Sequence, residues 1–280
     1  MRPREVPVSA GGTPPPNGDP TDGRGMVPLT PDASPSWLRP LVDNVGQIPE
    51  AYRHRLPAGV LAMVTAAKAA SSMASLLGPD DSGREAAVLV LFSGPESGPV
   101  GGVPDDADLL LTVRASTLRH HAGQAAFPGG ASDPTDDGPV ATALREAREE
   151  TGIDVSRLHP LATMERTFIA PSRFHVVPVL AYSPDPGPVA VVDETETAIV
   201  SRVPVRAFIN PDNRLMVYRG NLGRRWAGPA FLLNQMLVWG FTGQVISAVL
   251  DVAGWARPWD TTDILELDEA MVLVGEDGSR

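Results

Sequence analysis

The sequence predicts an α/β (α+β mixed) fold in which a mixed sheet packs against helices, and three observations carry that prediction. Short apolar runs of strand length, such as residues 86–92 (AAVLVLF) and 109–113, are interspersed with longer helical patterns. The segment Pro139–Thr151 has helix punctuation at both ends: Asp137 or Gly138 can cap it, Pro139 suits its first turn, and Gly152 suits a left-handed stop. Hydrophobic residues make up 42% of the 280, enough for one sizeable core, and there is no internal repeat.

Taken in order, residues 1–34 are rich in Pro, Gly and Asp and poor in large apolar side chains. Such a segment cannot bury enough surface to offset its ordering entropy, so it reads as a disordered tail. The folded domain is expected over residues 35–255. It opens with a helical extension: a short helix beginning near Pro35-Ser36-Trp37-Leu38, then a helix over 60–77 stopped by Gly78-Pro79. Strands are expected at 86–92 and 109–113, with residues 114–137 as loop. After the helix Pro139–Thr151, strands are expected at 161–168, 175–182 and 198–203, with weaker ones at 215–218 and 230–233. Residues 235–252 read as the last helix, and 256–280 as a loose acidic C-terminal tail with one short strand.

Composition narrows the function classes. Lys+Arg is 23 and Asp+Glu is 34, a net charge of −11, so the chain has no global attraction for nucleic acid or anionic membrane. An anionic ligand then needs a local cationic group or a metal ion. Cysteine is absent, which excludes disulfides, thiolate metal sites and cysteine nucleophiles. The charged, proline-containing start is not followed by the apolar core of a signal peptide, so secretion is not expected, and the apolar stretches 58–77 and 231–252 are both interrupted by polar residues. A cytoplasmic location is the expectation.

The chemistry concentrates in one helix. With Pro139–Thr151 wound at 3.6 residues per turn, Val140, Ala143, Leu144 and Ala147 form a core-facing stripe, and Glu146, Glu149 and Glu150 share a neighbouring arc. Like charges at i,i+3 and i,i+4 destabilise a helix by roughly 0.2–0.5 kcal/mol per pair. A hard divalent cation resolves that conflict, because Mg²⁺ and Mn²⁺ take carboxylate oxygens together with water and phosphate. The bland alternative is a solvated acidic face in which Arg145 pairs with Glu149 and Arg148 lies nearby.

Arg145-Glu146-Ala147-Arg148-Glu149-Glu150-Thr151-Gly152-Ile153 resembles the second half of the Nudix box, Gly-x5-Glu-x7-Arg-Glu-U-x-Glu-Glu-x-Gly-U, where U is aliphatic. The first half departs from it: the spacing puts Asp137 at the first Glu and Ala131 at the Gly, with Gly130 one residue too early. Upstream, LLTVRASTLRHHAGQAAFPGG over residues 110–130 resembles the signature of the coenzyme A pyrophosphatase branch of Nudix hydrolases, with every fixed position present. That branch also carries Gly-Gly-x-x-Asp-x-x-Asp, matched here by Gly129, Gly130, Asp133 and Asp136. The resemblance implies a Nudix fold and Mg²⁺- or Mn²⁺-dependent hydrolysis of a diphosphate in coenzyme A or acyl-CoA. Glu146, Glu149 and Glu150 would be metal-binding and catalytic carboxylates, with Arg145 orienting them.

Of the remaining candidates, the arginines, the histidines and Glu196 keep two readings each. Arg114 and Arg119 suit phosphate oxygens, or brace the loop by pairing with Asp133 or Asp136. Gly129 and Gly130 permit close backbone approach to a substrate. His120 and His121 are acid/base groups or plain exposed loop histidines. Glu196, in Asp193-Glu194-Thr195-Glu196, is either an additional metal ligand of the kind Nudix enzymes supply from beyond the box or part of an acidic turn. A homodimer is open, since dimers are common in the family. Rival functions are hydrolysis of ADP-ribose, dinucleoside polyphosphates or oxidised nucleoside triphosphates, and a non-catalytic ligand sensor.

Overall fold

The computed structural model describes residues 26–54, 83–99, 101–115, 124–169, 172–221, 224–234, 236–262 and 264–275. The helix expected over 60–77, together with Arg119, His120 and His121, lies outside the described residues. The first elements are the short helices α1 (Arg39–Asp43) and α2 (Ile48–His54). Next come β1 (Arg84–Ser93), β2 (Asp108–Arg114), β3 (Ala125–Ala126), β4 (Gly129–Ala131) and α3 (Pro139–Thr151). The sheet continues through β5 (His159–Thr163), β6 (Thr167–Ile169), β7 (Phe174–Ser183) and β8 (Thr197–Pro204), followed by α4 (Val205–Ile209). A second part holds β9 (Arg214–Asn221), β10 (Arg224–Leu233), β11 (Met236–Val238), α5 (Gly240–Val252), β12 (Ile264–Glu266) and α6 (Leu267–Gly275).

The large sheet is mixed, and β1 lies at its centre because its apolar run suits a strand covered on both faces. β1 pairs parallel with β7 along its whole length, from Arg84↔Phe174 to Ser93↔Ser183. Its other edge is divided: β4 takes Ala86 to Val88, and β2 takes Phe92 and Ser93. Successive side chains alternate between faces. Ala87, Leu89, Leu91, Val179 and Ala181 pack under Val140, Ala143 and Ala147 of α3. Val90, Phe92, Leu180 and Tyr182 point the opposite way, against Val245, Ile246 and Val249 of α5. The sheet is therefore sandwiched between helices, and each fully buried Leu or Val contributes roughly 1.5–3 kcal/mol.

Trp37 anchors the N-terminal segment on the α5 side. Its ring lies 5.9 Å from Trp255 and 6.2 Å from Tyr182, and its Nε1 donates to the Pro95 carbonyl at 2.8 Å. The docked chain starts earlier than position 35. Val27 packs against the α3-side core, and both the amide and the hydroxyl of Thr30 donate to the Pro160 carbonyl, at 2.7 and 3.1 Å. Backbone pairing of this kind leaves no trace in a Pro-rich composition.

Several expected elements are redrawn. The stretch 114–137 holds two short strands, β3 and β4, and the strand expected over 161–168 is broken into β5 and β6 around Met164 to Arg166. The helix expected from 235 starts at Gly240, after β11, where Gly240 takes a positive φ of 65°. At the C-terminal end, the expected loose tail contains the short strand and, in addition, helix α6. Leu267 and Ala270 are buried there against Leu215, Val217, Ala230 and Leu237. An i, i+3, i+4, i+7 stripe of Leu267, Ala270, Met271 and Val274 makes this helix, and the surrounding acids had obscured it. No helix among the described residues is long and apolar enough to cross a membrane.

Candidate active site

Helix α3 is stopped by Gly152, whose φ of 66° is left-handed and whose amide bonds back to the Arg148 carbonyl. Its N-cap is Gly138, with no capping side chain. Burying Ala143 and Ala147 against β1 turns Glu146 and Glu150 toward β4, beside Gly129 and Gly130, and leaves Glu149 more exposed.

The two glycines make room within the protein itself. A Cβ on Gly129 would lie 2.4 Å from the Ala87 carbonyl oxygen, so only glycine lets β4 approach β1 this closely. A Cβ on Gly130 would lie 2.5 Å from Cδ of Glu146, so the missing side chain is the space that the Glu146 carboxylate occupies. The Gly129 amide donates to Oε2 of Glu150 at 3.2 Å.

Arg145 organises the rest. Its Nε and Nη2 fork onto the two oxygens of Asp136, each at 2.9 Å, and Nη2 also donates to the Ala131 carbonyl at 2.9 Å. Its Nη1 reaches Glu146 and Glu149, both at 3.0 Å. These contacts hold the Asp136 carboxyl down at about 2, the hydrogen bonds from Arg145 being the largest cause. Burial pushes Glu146 above the usual carboxylate range, against the pull of Arg145. Glu150 is pushed up to about 7, first by burial, with the charges of Glu146 and Glu196 adding and the Gly129 amide and Arg114 opposing.

Arg114, at the end of β2, is thus close enough to Glu150 to be felt electrostatically, and its Nε is buried without a hydrogen-bond partner. Neither of its alternative partners is used in the expected way. Asp136 is taken by Arg145, and Asp133 accepts from the amide and hydroxyl of Thr135. Glu196 is exposed, and its carbonyl accepts from the Ala115 amide at 2.9 Å, next to Arg114. The structure therefore brings Glu146, Glu149, Glu150, Arg145, Arg114, Glu196, Gly129 and Gly130 into one neighbourhood.

The donor set is all carboxylate oxygen, the chemistry that a hard cation prefers, and the mutual repulsion around Glu150 is what such a cation would relieve. Among the described residues no three carboxylate or imidazole groups converge on one point as they stand. Glu146 and Glu149 share one guanidinium nitrogen while Glu150 is held by a backbone amide. The residues fit Mg²⁺ or Mn²⁺ in kind and in position along the helix.

The sequence offers Asp136 only as a brace for Arg114 or Arg119 and not as a partner of Arg145, since box spacing points to Asp137. The Gly-Gly-x-x-Asp-x-x-Asp pattern, which ends on Asp136, was the signal that could have found it. Thr142, fully buried and donating to Asp136 at 2.9 Å, was missed altogether.

A family model described as the NUDIX domain matches residues 95–219. A Nudix hydrolase of Yersinia pestis (strain Pestoides F) named NudL, itself described as uncharacterized, is 37% identical over 140 residues, covering 49% of this chain and 68% of that protein. NudL of Yersinia pseudotuberculosis serotype O:1b (strain IP 31758) matches at the same 37% over 140 residues, with the same coverage of 49% and 68%. The chain belongs to the Nudix hydrolases, enzymes that generally use divalent metal ions, and its sheet between helices is the Nudix fold. Among solved structures, the M. smegmatis Nudix hydrolase RenU is 25% identical over 44% of this chain and 71% of that one, with a TM-score of 0.34. A C. elegans Ap4A hydrolase is 22% identical over 44% and 83%, also at 0.34. At these scores the structural likeness adds nothing to the assignment, which rests on sequence.

Proposed function

We propose that this chain hydrolyses the diphosphate of coenzyme A or an acyl-CoA. The observation that carries the proposal is the 110–130 segment, which resembles the coenzyme A pyrophosphatase signature at every fixed position and ends on the glycine pair beside Glu146 and Glu150. In the reaction, water adds to one phosphorus of the diphosphate and the bridging P–O bond breaks. The products are 4′-phosphopantetheine, or its acyl form, and adenosine 3′,5′-bisphosphate.

Glu146, Glu149 and Glu150, with Glu196 as an additional ligand, would hold Mg²⁺ or Mn²⁺. When bound, such an ion offsets phosphate charge and lowers the pKa of water. Arg145 orients Glu146 and Glu149 and keeps their charge in place. Arg114, the cation felt by Glu150, has an unsatisfied Nε suited to a phosphate oxygen. Arg119 belongs to the same signature and is assigned the same kind of contact. Gly129 and Gly130 shape the floor of the site. The full carboxylate set favours catalysis over a ligand sensor, which has no need of crowded like charges.

Coenzyme A differs from ADP-ribose and nucleoside triphosphates by its 3′-phosphate and pantetheine arm. In a chain of net charge −11 the 3′-phosphate needs a specific cationic contact. Such a contact, worth about 1.5–3 kcal/mol, favours CoA over 3′-dephospho-CoA by roughly 10- to 100-fold in kcat/KM. Steady-state assays of CoA, 3′-dephospho-CoA, ADP-ribose and 8-oxo-dGTP at one Mg²⁺ concentration test this. CoA is expected to rank first. Turnover of ADP-ribose or 8-oxo-dGTP without turnover of CoA would overturn the substrate assignment and leave the Nudix chemistry standing.

A further inference from the structure

We infer that the cavity lined by Pro211, Asp212, Arg214, Asp260 and Thr262 is a binding site for a small zwitterion, separate from the carboxylate site on α3. The cavity measures about 500 Å³, the size of a small-molecule site. It is bounded by the turn Pro211–Asn213 that leads into β9 and by residues 260–262 ahead of β12. None of its lining residues belongs to the diphosphate-cleaving machinery proposed above, so the two readings stand or fall separately. Arg214 is the one charged side chain buried among the described residues, at 4% exposed. Arginine is seldom kept so deep, because its hydration is costly to give up. A place in a cavity wall, and not in the packed core, gives that cost a use.

The guanidinium is fixed in its plane. Its Nη2 donates to the Ser247 hydroxyl of α5 at 2.8 Å, and its central carbon lies 4.6 Å from the centre of the Trp259 ring and 5.3 Å from that of Phe231. Contacts of this kind orient the group, and a guanidinium recognises an anion in its own plane, through a fork of N–H donors. The mouth of the cavity has the opposite sign, because Asp212 and Asp260 are both exposed. Each sits on a braced turn. The Asp212 amide donates to Oδ1 of Asn210 at 3.3 Å, and Oδ1 of Asp260 accepts from the amide and hydroxyl of Thr262 at 2.8 and 2.6 Å. The order of charges then selects the ligand. A plain anion meets two carboxylates at the mouth of a chain of net charge −11, and a plain cation meets Arg214 at the floor. A molecule with its carboxylate inward and its ammonium outward suits both ends. That is the chemistry of an amino acid.

Three molecules of equal carbon number test this by NMR titration against the full chain: 4-aminobutyrate, butyrate and n-butylamine. 4-Aminobutyrate is expected to bind at least about 10-fold more tightly than either singly charged molecule, since it alone makes a charge-assisted contact at each end. Arg214→Gln should weaken both 4-aminobutyrate and butyrate by about 10-fold or more. Asp212→Asn, a change at an exposed residue, should weaken 4-aminobutyrate by about 10-fold, leave butyrate no weaker, and keep the wild-type Tm. Should Arg214→Gln fail to fold, Asp212→Asn decides. Butyrate binding as tightly as 4-aminobutyrate, or wild-type affinity for 4-aminobutyrate in Asp212→Asn, would overturn the zwitterion assignment. No binding of any of the three up to roughly 50 mM, well past the millimolar range open to a ligand of so few atoms, would overturn the site itself.

Discussion

Two regions of this molecule are built on opposite terms. Between Asp133 and Glu150 the chain carries six carboxylates and two arginines, whereas residues 213–250 contain no Asp or Glu at all. In the first region the charged side chains of the site are placed by hydrogen bonds: Arg145 on Asp136, Glu146 and Glu149, and Glu150 on the Gly129 amide. The second region, which includes β9 to β11, is held by apolar burial around Leu215, Val217, Ala230 and Leu237, with Leu267 of the neighbouring α6 packed on it. Polar geometry fails when single atoms are changed, while apolar packing fails in proportion to the volume removed. Substitutions of each kind should therefore separate activity from stability.

The largest effect is expected at Glu150. Glu150→Gln swaps one oxygen for nitrogen and should lower kcat by at least about 100-fold while the protein stays folded. Its stability should move the other way. Burial raises the Glu150 carboxyl to about 7 in the folded chain, so the stability it contributes below the unfolded value is lost as pH rises through 7. In metal-free protein at pH 8, Glu150→Gln should be the more stable by about 1–3 kcal/mol, and at pH 4 the two should melt alike. Near-normal turnover would remove Glu150 from the site.

Next comes Leu267→Ala, in the helix packed on the second region. Leu267 is 3% exposed, and truncation of a buried leucine costs about 2–4 kcal/mol. The Tm should fall by several degrees while kcat/KM below the transition stays at the wild-type value. An unchanged Tm would return α6 to the loose tail that composition suggested. The smallest effect sharpens the boundary between the regions. In Gly130→Ala the new methyl meets the end of the flexible Glu146 side chain, which can swing aside, so activity should drop about 10-fold with little loss of Tm. In Gly129→Ala it meets the Ala87 backbone oxygen at 2.4 Å, which cannot yield, so Tm should fall first. Reversed outcomes would show that Gly130 serves the sheet and not the carboxylate.

The same contrast decides what the sequence reveals. Helix α3 spans Pro139–Thr151 as its punctuation indicates, because Pro139 and Gly152 act locally and need no partner. The strand at β1 was legible for a similar reason, as an apolar run covered on both faces. The hairpin of β9 and β10 runs well beyond residues 215–218 and 230–233, since Gly220, Gly228 and Pro229 look like breakers until the opposite strand supplies the pairing. Helix α6 was obscured because Glu266, Asp268 and Glu269 crowd its start, while Leu267 and Ala270 carry the packing. Within the site, the carboxylate arc follows from helical spacing. Asp136 does not, since its role depends on a loop path that folds back on Arg145. Nor does the partner of Gly130, because a missing side chain shows its purpose only when Glu146 lies against it.

The proposed hydrolysis of the coenzyme A diphosphate by this Nudix hydrolase is tested most directly by the masses of the products. Coenzyme A incubated with the full chain and Mg²⁺ in ¹⁸O-labelled water should give 4′-phosphopantetheine and adenosine 3′,5′-bisphosphate, with one heavy oxygen on a single product. Intact coenzyme A under conditions where another nucleoside diphosphate is cleaved, or products formed by loss of the 3′-phosphate alone, would contradict it.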